Sequence, residues 1–398
     1  MDTAELLEVL SIDGLRLLDA LPPYDRKADV LRTVSELRSA GHSPAKVAAV
    51  LSQSKLRAKA EPKFGPFASR MLFTEAGLEQ ATRLSVAALH AGRFRDAGIT
   101  RVADLGCGIG ADALALAAID LEVTAVERDE VTAAIAAYNL APWQSVEVLH
   151  DDATAIDLGG VDGVFLDPAR RTAGHHNTSR LRDPADWSPS LDFAFGLGET
   201  HATGVKLGPG IDRDLIPDSA EAQWISVDRE VVEVGVWFGA VAREGIRRSA
   251  LVIGQHGTAE LTAGADSDDV ETGELGEYVY EPDGAVIRAR LIGDLGRLLG
   301  ATMLSDGIAY LTAPTARSTP FARAFRVLAT FPFDERVLRK ELAARRIGTL
   351  EIKKRGVDVD PAQLRRRLSL RGPESATLIV TRVAGRHTAL LVDRVSAG

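Results

Sequence analysis

A glycine-rich loop spans residues 104–110, between a short apolar run and a segment with helical periodicity. Glycines let the backbone turn sharply there and approach a ligand without interference from a Cβ atom. The start of the following helix offers unpaired N–H groups to an anionic group. The same stretch also fits the dinucleotide-binding pattern G-x-G-x-x-A, through Gly106, Gly108 and Ala111. The loop alone therefore predicts a ligand site without distinguishing between two classes of ligand.

Acidic residues accompany the ends of three successive predicted strands. Asp104 lies two residues before the first glycine, Glu127 ends the next strand, and Asp152-Ala153 follows the third. Asp104 is suited to contact the amino group of a methionine moiety, directly or through a water, whereas dinucleotide folds have no use for a carboxylate there. Glu127 is suited to bind both ribose hydroxyls, a feature that NAD-binding folds share. Asp152 is suited to accept a hydrogen bond from an adenine amino group.

The pattern D-x-G-x-G-x-G, then E, then D-A resembles the class I S-adenosylmethionine-dependent methyltransferases over roughly residues 70–240. The resemblance implies S-adenosyl-L-methionine as the cofactor, with the helix before the first strand closing over its methionine end. An ordinary amphipathic helix with Leu78 and Ala81 inward fits that segment too. Cys107 is expected to fill space in the loop and not to act as a nucleophile. The implied cofactor-binding residues are Thr74, Gln80, Asp104, Gly106, Cys107, Gly108, Gly110, Glu127, Arg128, Asp152 and Ala153.

The fourth predicted strand ends in the motif Asp167-Pro168-Ala169-Arg170-Arg171. Class I enzymes that methylate exocyclic amines of bases carry D/N-P-P-F/Y/W at this position. There an Asp oxygen and the backbone carbonyl after it hold the amine and aim its lone pair at the methyl group, so positioning supplies most of the catalysis. Because the aromatic residue is missing here, this loop is not expected to stack on a base. We expect Asp167, Pro168 and Arg170 to be catalytic, with the arginines binding a phosphate or a carboxylate or stabilising the loop.

Two other kinds of chemistry are disfavoured. Methylation at cytosine C5 needs a thiolate nucleophile, and the single cysteine, Cys107, lies in the glycine loop. His175 and His176 have no partner at metal-ligand spacing, so no metal site is expected.

Strands and helices alternate over residues 101–207, which predicts parallel pairing in an open sheet. The predicted fold class is α/β, with a Rossmann-like methyltransferase core, an N-terminal helical domain and a small C-terminal α/β domain. Two apolar runs, 224–227 and 231–238, are predicted to form an antiparallel pair. The predicted domains are a helical domain (1–69), the methyltransferase domain (70–240), a middle β-rich or linker region (241–324) and a basic α/β domain (325–398).

The first 60 or so residues have the pattern of short amphipathic helices. Thr3 is predicted to cap the first helix, and Ser43 before Pro44 is a helix-start signal. Residues 55–70 hold five basic side chains and one acidic side chain. This segment is either the solvated face of a linker or a second contact strip for a polyanion.

Basic residues are concentrated in the last part of the chain. Residues 321–398 hold 17 Lys and Arg against 8 Asp and Glu, although the whole chain has a net charge of −9. Such asymmetry indicates a module that faces a polyanion. The predicted order of elements in this module is strand, helix, strand, helix, strand, strand.

The run Ile352-Lys353-Lys354-Arg355-Gly356, followed by a helix with three arginines and two strands, resembles the THUMP-like C-terminal domain of a bacterial methyltransferase family. THUMP modules are associated with RNA-modifying enzymes, so the resemblance implies an RNA partner. Docking of the module onto the acidic segment 256–287 is the alternative. The expected RNA-binding residues, as phosphate contacts that position the RNA, are Lys353, Lys354, Arg355, Arg365, Arg366 and Arg367.

The leading hypothesis is a methyltransferase that N-methylates a base in structured RNA, either rRNA or tRNA. The alternatives are a methyltransferase for a protein or small molecule, and a non-catalytic S-adenosylmethionine-binding protein associated with RNA. No apolar stretch reaches the roughly 18 residues that a membrane helix needs, and the acidic start is not a signal peptide. A cytoplasmic protein is therefore expected, and the oligomeric state is not predicted.

Overall fold

The computed structural model describes residues 1–22, 27–170, 187–255 and 257–395, without the side chains of residues 27–29 and 170. The chain divides into two compact units. The first unit comprises Met1–Leu207, Asp212–Pro217 and Val236–Ala242, and the second comprises Gly208–Ile211, Asp218–Gly235 and Arg243–Gly398. In the described part of the chain, no helix is both long enough and apolar enough to cross a membrane.

Four helices begin the first unit: α1 (Thr3–Leu10), α2 (Ile12–Ala20), α3 (Lys27–Ser39) and α4 (Pro44–Phe64). Asp2 caps α1, because its side chain accepts a hydrogen bond from the Glu5 amide at 2.9 Å while the Glu5 side chain accepts one from the Asp2 amide. This reciprocal pair is a capping box, so the predicted cap at Thr3 is wrong. Ser43 caps α4 directly before Pro44, as predicted.

The basic segment 55–70 belongs largely to helix α4 and is not a linker. Arg57 donates a hydrogen bond to the Met71 carbonyl at 3.0 Å and pairs with Asp19. Lys63 donates to the carbonyls of Leu78, Glu79 and Ala81 at 2.7–3.0 Å. Two of the five cations are therefore engaged in contacts within the first unit.

The sheet of the first unit has five parallel strands in the order β3-β2-β1-β4-β7. A short antiparallel pair, β5 with β6, follows β4. This arrangement is the predicted open α/β sheet. The strands are β1 (Arg101–Leu105), β2 (Glu122–Glu127), β3 (Val146–His150), β4 (Gly163–Leu166), β5 (Ala169–Arg170), β6 (Trp187–Ser188) and β7 (Ala202–Leu207). The helices are α5 (Glu75–Gln80), α6 (Leu84–Asp96), α7 (Ala111–Ala117), α8 (Glu130–Leu140) and α9 (Leu191–Gly196).

The register of these strands brings their carboxyl ends to one edge. Leu105 of β1 pairs with Val126 of β2 on one side and with Leu166 of β4 on the other. Leu166 in turn pairs with Val205 of β7. The residues that follow each of these positions therefore lie side by side, which is where open α/β sheets bind ligands.

An aromatic cluster holds β4 and β7 together beneath this edge. The ring of Phe165 lies 5.1 Å from that of His90, and 6.4 Å from the rings of Phe94 and Trp237. Gly204 leaves room for Trp237, because a Cβ atom at this position would lie 2.6 Å from the indole ring. Close packing at this point fixes the two strand ends that carry Asp167 and Lys206.

One group of strands in the second unit consists of β8 (Glu221–Val227), β9 (Glu230–Phe238), β10 (Arg248–Gly254) and β11 (Gly257–Ala263). The last three residues of β9 belong to the first unit. Strand β10 pairs in parallel with β8 and antiparallel with β11. Asp228 and Arg229 join β8 to its neighbour β9 with φ values of 48° and 73°. Positive φ at both positions is typical of a two-residue hairpin turn, as the predicted antiparallel pair requires.

A seven-stranded sheet in the order β13-β14-β12-β15-β18-β17-β16 forms the rest of the second unit. From residue 322 onward its elements follow the predicted order of strand, helix, strand, helix, strand, strand. Residues 284–299 form two helices and not one, because Arg290 has a φ of 60° that interrupts the helical backbone. The strands are β12 (Tyr278–Pro282), β13 (Thr302–Met303), β14 (Leu311–Ala313), β15 (Ala322–Pro332), β16 (Ile347–Lys354), β17 (Glu374–Val383) and β18 (Arg386–Arg394). The helices are α10 (Gly284–Arg288), α11 (Ile292–Leu299), α12 (Glu335–Ala344) and α13 (Pro361–Leu368).

Candidate active site

A cavity of about 470 Å³ lies in the first unit, at the carboxyl ends of its parallel strands. Every predicted cofactor-binding residue lines it except Gly110, and Asp167 lines it as well. Among the lining residues that were not predicted are three with polar side chains that form a connected set: Thr82, Asp112 and Lys206. The sequence-predicted residues are therefore brought together around one space.

The glycine loop adopts a backbone that other residues rarely adopt. Gly106, Gly108 and Gly110 have φ values of 87°, 57° and 85°. A Cβ atom at Gly110 would also lie 2.9 Å from the Leu140 side chain. Gly110 thus lies behind the cavity, where it lets the loop pass close to α8 and begin α7.

Glu127 fastens the loop to β2 and is itself held in one orientation. Its two carboxylate oxygens accept hydrogen bonds from the Gly108 amide at 3.1 Å and from the Asp129 amide at 2.8 Å. The amides of Gly106 and Cys107 both donate to the Val126 carbonyl. The Glu127 carboxylate is therefore preorganised at the cavity wall.

Asp104 is the most buried carboxylate of the cavity, with 1% of its surface exposed. Its Oδ2 atom has no hydrogen-bond partner among the residues that the structure describes. Burial raises the pKa of Asp104 well above its ordinary value, the charges of Asp112 and Asp167 raise it further, and Lys206 opposes them. The Ala113 amide donates a hydrogen bond to this carboxylate, but a buried carboxylate oxygen that lacks a partner is costly in the absence of a cationic donor. This site therefore fits the ammonium group of a methionine moiety.

Lys206 lies at the centre of the site, and sequence reasoning missed it. Its Nζ is 2.5 Å from Asp167 Oδ2, 3.0 Å from Thr82 Oγ1 and 3.3 Å from the Gln80 carbonyl oxygen. All six residues of β7 are buried, and Lys206 is 7% exposed. A lysine within an apolar strand was the available signal, because a lysine is almost never fully buried unless it is paired.

A hydrogen-bonded chain continues from Lys206 into the core. Thr82 Oγ1 donates to Asp112 Oδ2 at 2.6 Å, and His90 Nδ1 lies 3.0 Å from Asp112 Oδ1. Burial raises the pKa of Asp112, but the hydrogen bond and charge of His90, the charge of Lys206 and the Thr82 hydroxyl outweigh it, so the pKa lies below its ordinary value. Asp112 thus has a partner for each carboxylate oxygen, whereas Oδ2 of Asp104 has none among the described residues.

Two curated relatives resemble the chain over most of its length. They are uncharacterized S-adenosylmethionine-dependent methyltransferases from Mycobacterium tuberculosis strains CDC 1551 and H37Rv, each 34% identical over 342 residues. The match covers 82% of this chain and 90% of each relative. The chain belongs to the S-adenosylmethionine-dependent methyltransferases.

Other comparisons agree with the architecture of this methyltransferase. The THUMP domain-like family matches residues 322–394, and a domain of unknown function matches residues 2–60. A crystal structure from Porphyromonas gingivalis W83, described as that of a methyltransferase, superimposes with a TM-score of 0.75 at 22% identity and covers 100% of both chains. The chain is thus a class I enzyme with a THUMP-like domain, and its cofactor is S-adenosylmethionine.

Three other cavity-lining residues of the methyltransferase, Thr74, Asp152 and Arg128, make hydrogen bonds near their own positions in the chain. Thr74 caps α5 by accepting a hydrogen bond from the Gly77 amide at 2.8 Å, and Leu78 of the same helix is buried. Helix α5 is therefore both an ordinary amphipathic helix and part of the cavity wall. Asp152 Oδ1 accepts two hydrogen bonds from Thr154, which lower the pKa of Asp152. Arg128 is exposed, and its carbonyl accepts a hydrogen bond from His150.

The Asp-Pro motif of the methyltransferase is described only in part. Asp167 is half-buried in the cavity wall, whereas Pro168 is buried and is not among the residues that line the cavity in the described part of the chain. The backbone of Arg170 pairs with Trp187, and its side chain lies outside the described atoms. Arg171, His175 and His176 lie outside the described residues.

The predicted RNA contacts of the THUMP-like domain fall into two groups. Four have partners inside the second unit: Lys353 pairs with Glu281 at 2.9 Å, Arg355 lies over the Tyr310 ring, Arg365 donates to the Leu350 carbonyl, and Arg367 pairs with Glu335. Within the described part of the chain, the side chains of Lys354 and Arg366 have no hydrogen bond or ion pair. Both are exposed, and both lie close enough to Asp360 to lower its pKa, after its backbone hydrogen bonds.

Proposed function

We propose that this methyltransferase transfers a methyl group to a nitrogen atom of a base in structured RNA, with Asp167 holding the acceptor amine. The observation that carries the proposal is that the Asp167 carboxylate shares one cavity with Asp104 and Glu127. When bound, S-adenosyl-L-methionine supplies an electrophilic methyl group on a sulfonium. An acceptor held by Asp167 would therefore lie beside the group that it attacks.

Different residues of the cavity would bind different parts of the cofactor. Asp104 would hold the ammonium group of the methionine end, because its buried Oδ2 needs a cationic donor. Glu127 would bind the ribose hydroxyls, and Asp152 with Ala153 would bind the adenine. The Gly106 and Gly108 backbone would let the ligand approach closely.

The methyl acceptor would bind at the ends of strands β4 and β7. An oxygen of the Asp167 carboxylate and the following backbone carbonyl would each accept a hydrogen bond from the acceptor amine. Two such contacts leave the nitrogen lone pair directed away from them, and orientation of this kind accounts for most of the rate in an in-line displacement. The motif has no aromatic residue after Pro168, so a stacking partner for the base has to come from elsewhere.

The THUMP-like domain supports RNA as the substrate class. This domain carries the basic excess of the chain, and Lys354 with Arg366 presents two exposed cations beside Asp360. Exposed cations of this kind position a nucleic acid through its phosphates without reading its sequence. This arrangement suits an enzyme that recognises folded RNA by shape.

A methyltransferase for a protein or small molecule is the second candidate. The observation in its favour is that Lys353, Arg365 and Arg367 are engaged inside the second unit. In that case the basic residues stabilise the domain, and the acceptor reaches the cavity without help from it.

The test is transfer of labelled methyl from S-adenosyl-L-methionine to separate RNA, DNA and protein fractions. The fractions come from cells that lack this protein, so that target sites are unmodified. Label in RNA that disappears with Asp167→Ala supports the proposal. Label in the protein fraction alone contradicts the RNA assignment and favours the second candidate.

A further inference from the structure

Lys206 directs its ammonium group at three acceptors among the residues that the structure describes. The acceptors are Asp167 Oδ2, Thr82 Oγ1 and the Gln80 carbonyl oxygen. A lysine has three N–H donors, so these three contacts alone can occupy all of them. The side chain is therefore placed to hold other groups and not to contact the acceptor itself.

These contacts join two walls of the cavity. Asp167 follows β4, whereas Gln80 is the last residue of α5, the helix that lines the opposite part of the site. The Thr82 hydroxyl fixes the ammonium from a third direction, and Asp112 with His90 fixes Thr82. A continuous chain of hydrogen bonds and ion pairs thus runs from the core to the Asp167 carboxylate.

The charge balance of the site depends on the same lysine. The charges of Asp112 and Asp167 reach Asp104, and Lys206 acts on Asp104 in the opposite sense. Removal of the ammonium would take this ion pair away from the half-buried Asp167 carboxylate, which destabilises the charged form and loosens the hold on its side chain.

We propose that Lys206 is a positioning residue that holds the Asp167 carboxylate in the orientation required to receive the acceptor amine. Asp167 is the residue that touches the acceptor, and Lys206 acts through it. The proposal rests on the proposed role of Asp167 but not on the identity of the acceptor as RNA.

The chain offers a matched control in Lys63. Like Lys206, Lys63 donates to the carbonyls at the end of α5, namely those of Leu78, Glu79 and Ala81. It has no contact with Asp167 among the interactions of the described residues and is not among the residues that line the cavity. A comparison of Lys206→Met with Lys63→Met therefore separates the positioning of Asp167 from the capping of α5.

The experiment measures the rate of methyl transfer by the full chain as a function of S-adenosyl-L-methionine concentration, with RNA from cells that lack the protein as acceptor. For Lys206→Met we expect the maximal rate to fall about 100-fold, with the half-saturating cofactor concentration changed by less than about 3-fold. For Lys63→Met we expect the maximal rate to be retained and the half-saturating concentration to rise. Equal changes in the same parameter for both variants would mean that Lys206 only caps α5, and would overturn the proposal.

The rate of methyl transfer by a double variant distinguishes positioning of Asp167 from a purely structural role of Lys206. If Lys206 acts through Asp167, Lys206→Met combined with Asp167→Ala is no slower than Asp167→Ala alone. Independent, multiplying losses contradict the proposal. If Lys206→Met does not fold, Thr82→Val removes one acceptor of the ammonium, and a reduced maximal rate is expected, whereas an unchanged rate overturns the proposal.

The two proposals fail in different ways. If the wild-type enzyme labels a fraction other than RNA, the RNA assignment fails, and the same variants are compared on that acceptor. If Asp167→Ala retains full activity, the role of Asp167 fails, and the role of Lys206 fails with it.

Discussion

The cavity of the first unit and the basic face of the THUMP-like domain both collect charged residues, but they use them differently. In the cavity, Asp104 is almost fully buried, and its Oδ2 has no partner in the described part of the chain. On the THUMP-like domain, Lys353 and Arg367 satisfy carboxylates of their own unit. In the cavity, a buried carboxylate oxygen is left for a ligand to contact. In the THUMP-like domain, carboxylates of the same unit already pair with several of the basic side chains.

This difference shows which charged residues are informative about function. A buried ionisable group without a partner is unstable unless something binds to it, so it indicates a ligand. An excess of basic residues in a sequence carries less information, because neighbouring strands and helices can neutralise them. In the THUMP-like domain the count of candidate contacts falls from six to Lys354 and Arg366.

The largest expected effect belongs to Asp167 in the cavity. Asp167→Ala should lower methyl transfer about 100-fold or more, because the acceptor amine loses its orienting contact. Binding of S-adenosylhomocysteine, measured by calorimetry, should change by only a few-fold. A variant that loses cofactor binding and transfer together would place Asp167 in the cofactor site instead.

Asp104→Asn should lower the affinity for S-adenosyl-L-methionine roughly 10-fold or more, because a charged hydrogen-bond acceptor is lost.

The same substitution should raise the stability of the cofactor-free protein. The folded-state pKa of Asp104 is raised above its unfolded value, so its contribution to stability is fully present below the unfolded pKa and is lost as the pH rises through the folded pKa. The cofactor-free variant should therefore have a higher Tm than the wild type at about pH 8, and the difference should shrink toward about pH 4.

Thermal scans across this pH range, without cofactor, check the second part of that prediction. Glu127→Gln is a suitable comparison, because Glu127 has partners for both carboxylate oxygens. If Asp104→Asn has the same Tm as the wild type at every pH, the carboxylate is not an uncompensated charge.

On the THUMP-like domain, Lys354→Gln with Arg366→Gln should weaken RNA binding and reduce the slope of log Kd against log salt by about 2. Arg365→Gln with Arg367→Gln removes the same amount of charge, but from two side chains of α13 that have internal partners. That pair should leave the slope close to the wild-type value. Filter binding over a salt series distinguishes them, and equal slopes for the two double variants would contradict the division between cations with internal partners and those without.

The smallest effect is expected at Glu260, a partly buried carboxylate whose oxygens have partners. Burial raises the pKa of Glu260, but hydrogen bonds from Arg243 and Ser249 outweigh it and lower the pKa from 4.5 to about 2. Its contribution to stability is present above pH 4.5 and is lost as the pH falls toward 2. Glu260→Gln should lower Tm modestly at neutral pH and have less effect near pH 3. An Asp104-like increase in Tm would contradict the contrast between partnered and unpartnered carboxylates.

The sites of Asp104, Glu127, Asp152 and Asp167 could be predicted because parallel strands bring their carboxyl ends to one edge. A residue at a strand end therefore has a predictable place even when its partners are unknown. Lys206, Thr82 and Asp112 were missed because their contacts join residues 30 or 124 positions apart. The lysine in β7 was visible in the sequence, but nothing local indicated which side chains would surround it.

In the THUMP-like domain too, the secondary structure could be predicted from the sequence, whereas the partners of the side chains could not. Its order of strands and helices follows from local hydrophobic periodicity, and the predicted helix with three arginines is α13. The partners of its basic residues do not follow from periodicity, since Glu281 lies 72 residues before Lys353 and Glu335 lies 32 residues before Arg367. The cap of α1 was assigned to Thr3 because Asp2 and Thr3 are both good N-cap residues, and only the geometry distinguishes them.

The most direct test of the central claim is mass spectrometry of nucleosides from RNA of cells that lack this protein, before and after incubation with the purified enzyme and S-adenosyl-L-methionine. The account predicts that the wild-type enzyme produces one N-methylated nucleoside and that Asp167→Ala does not produce it. An unchanged set of nucleosides, or a methylated nucleoside that Asp167→Ala forms equally well, would contradict it.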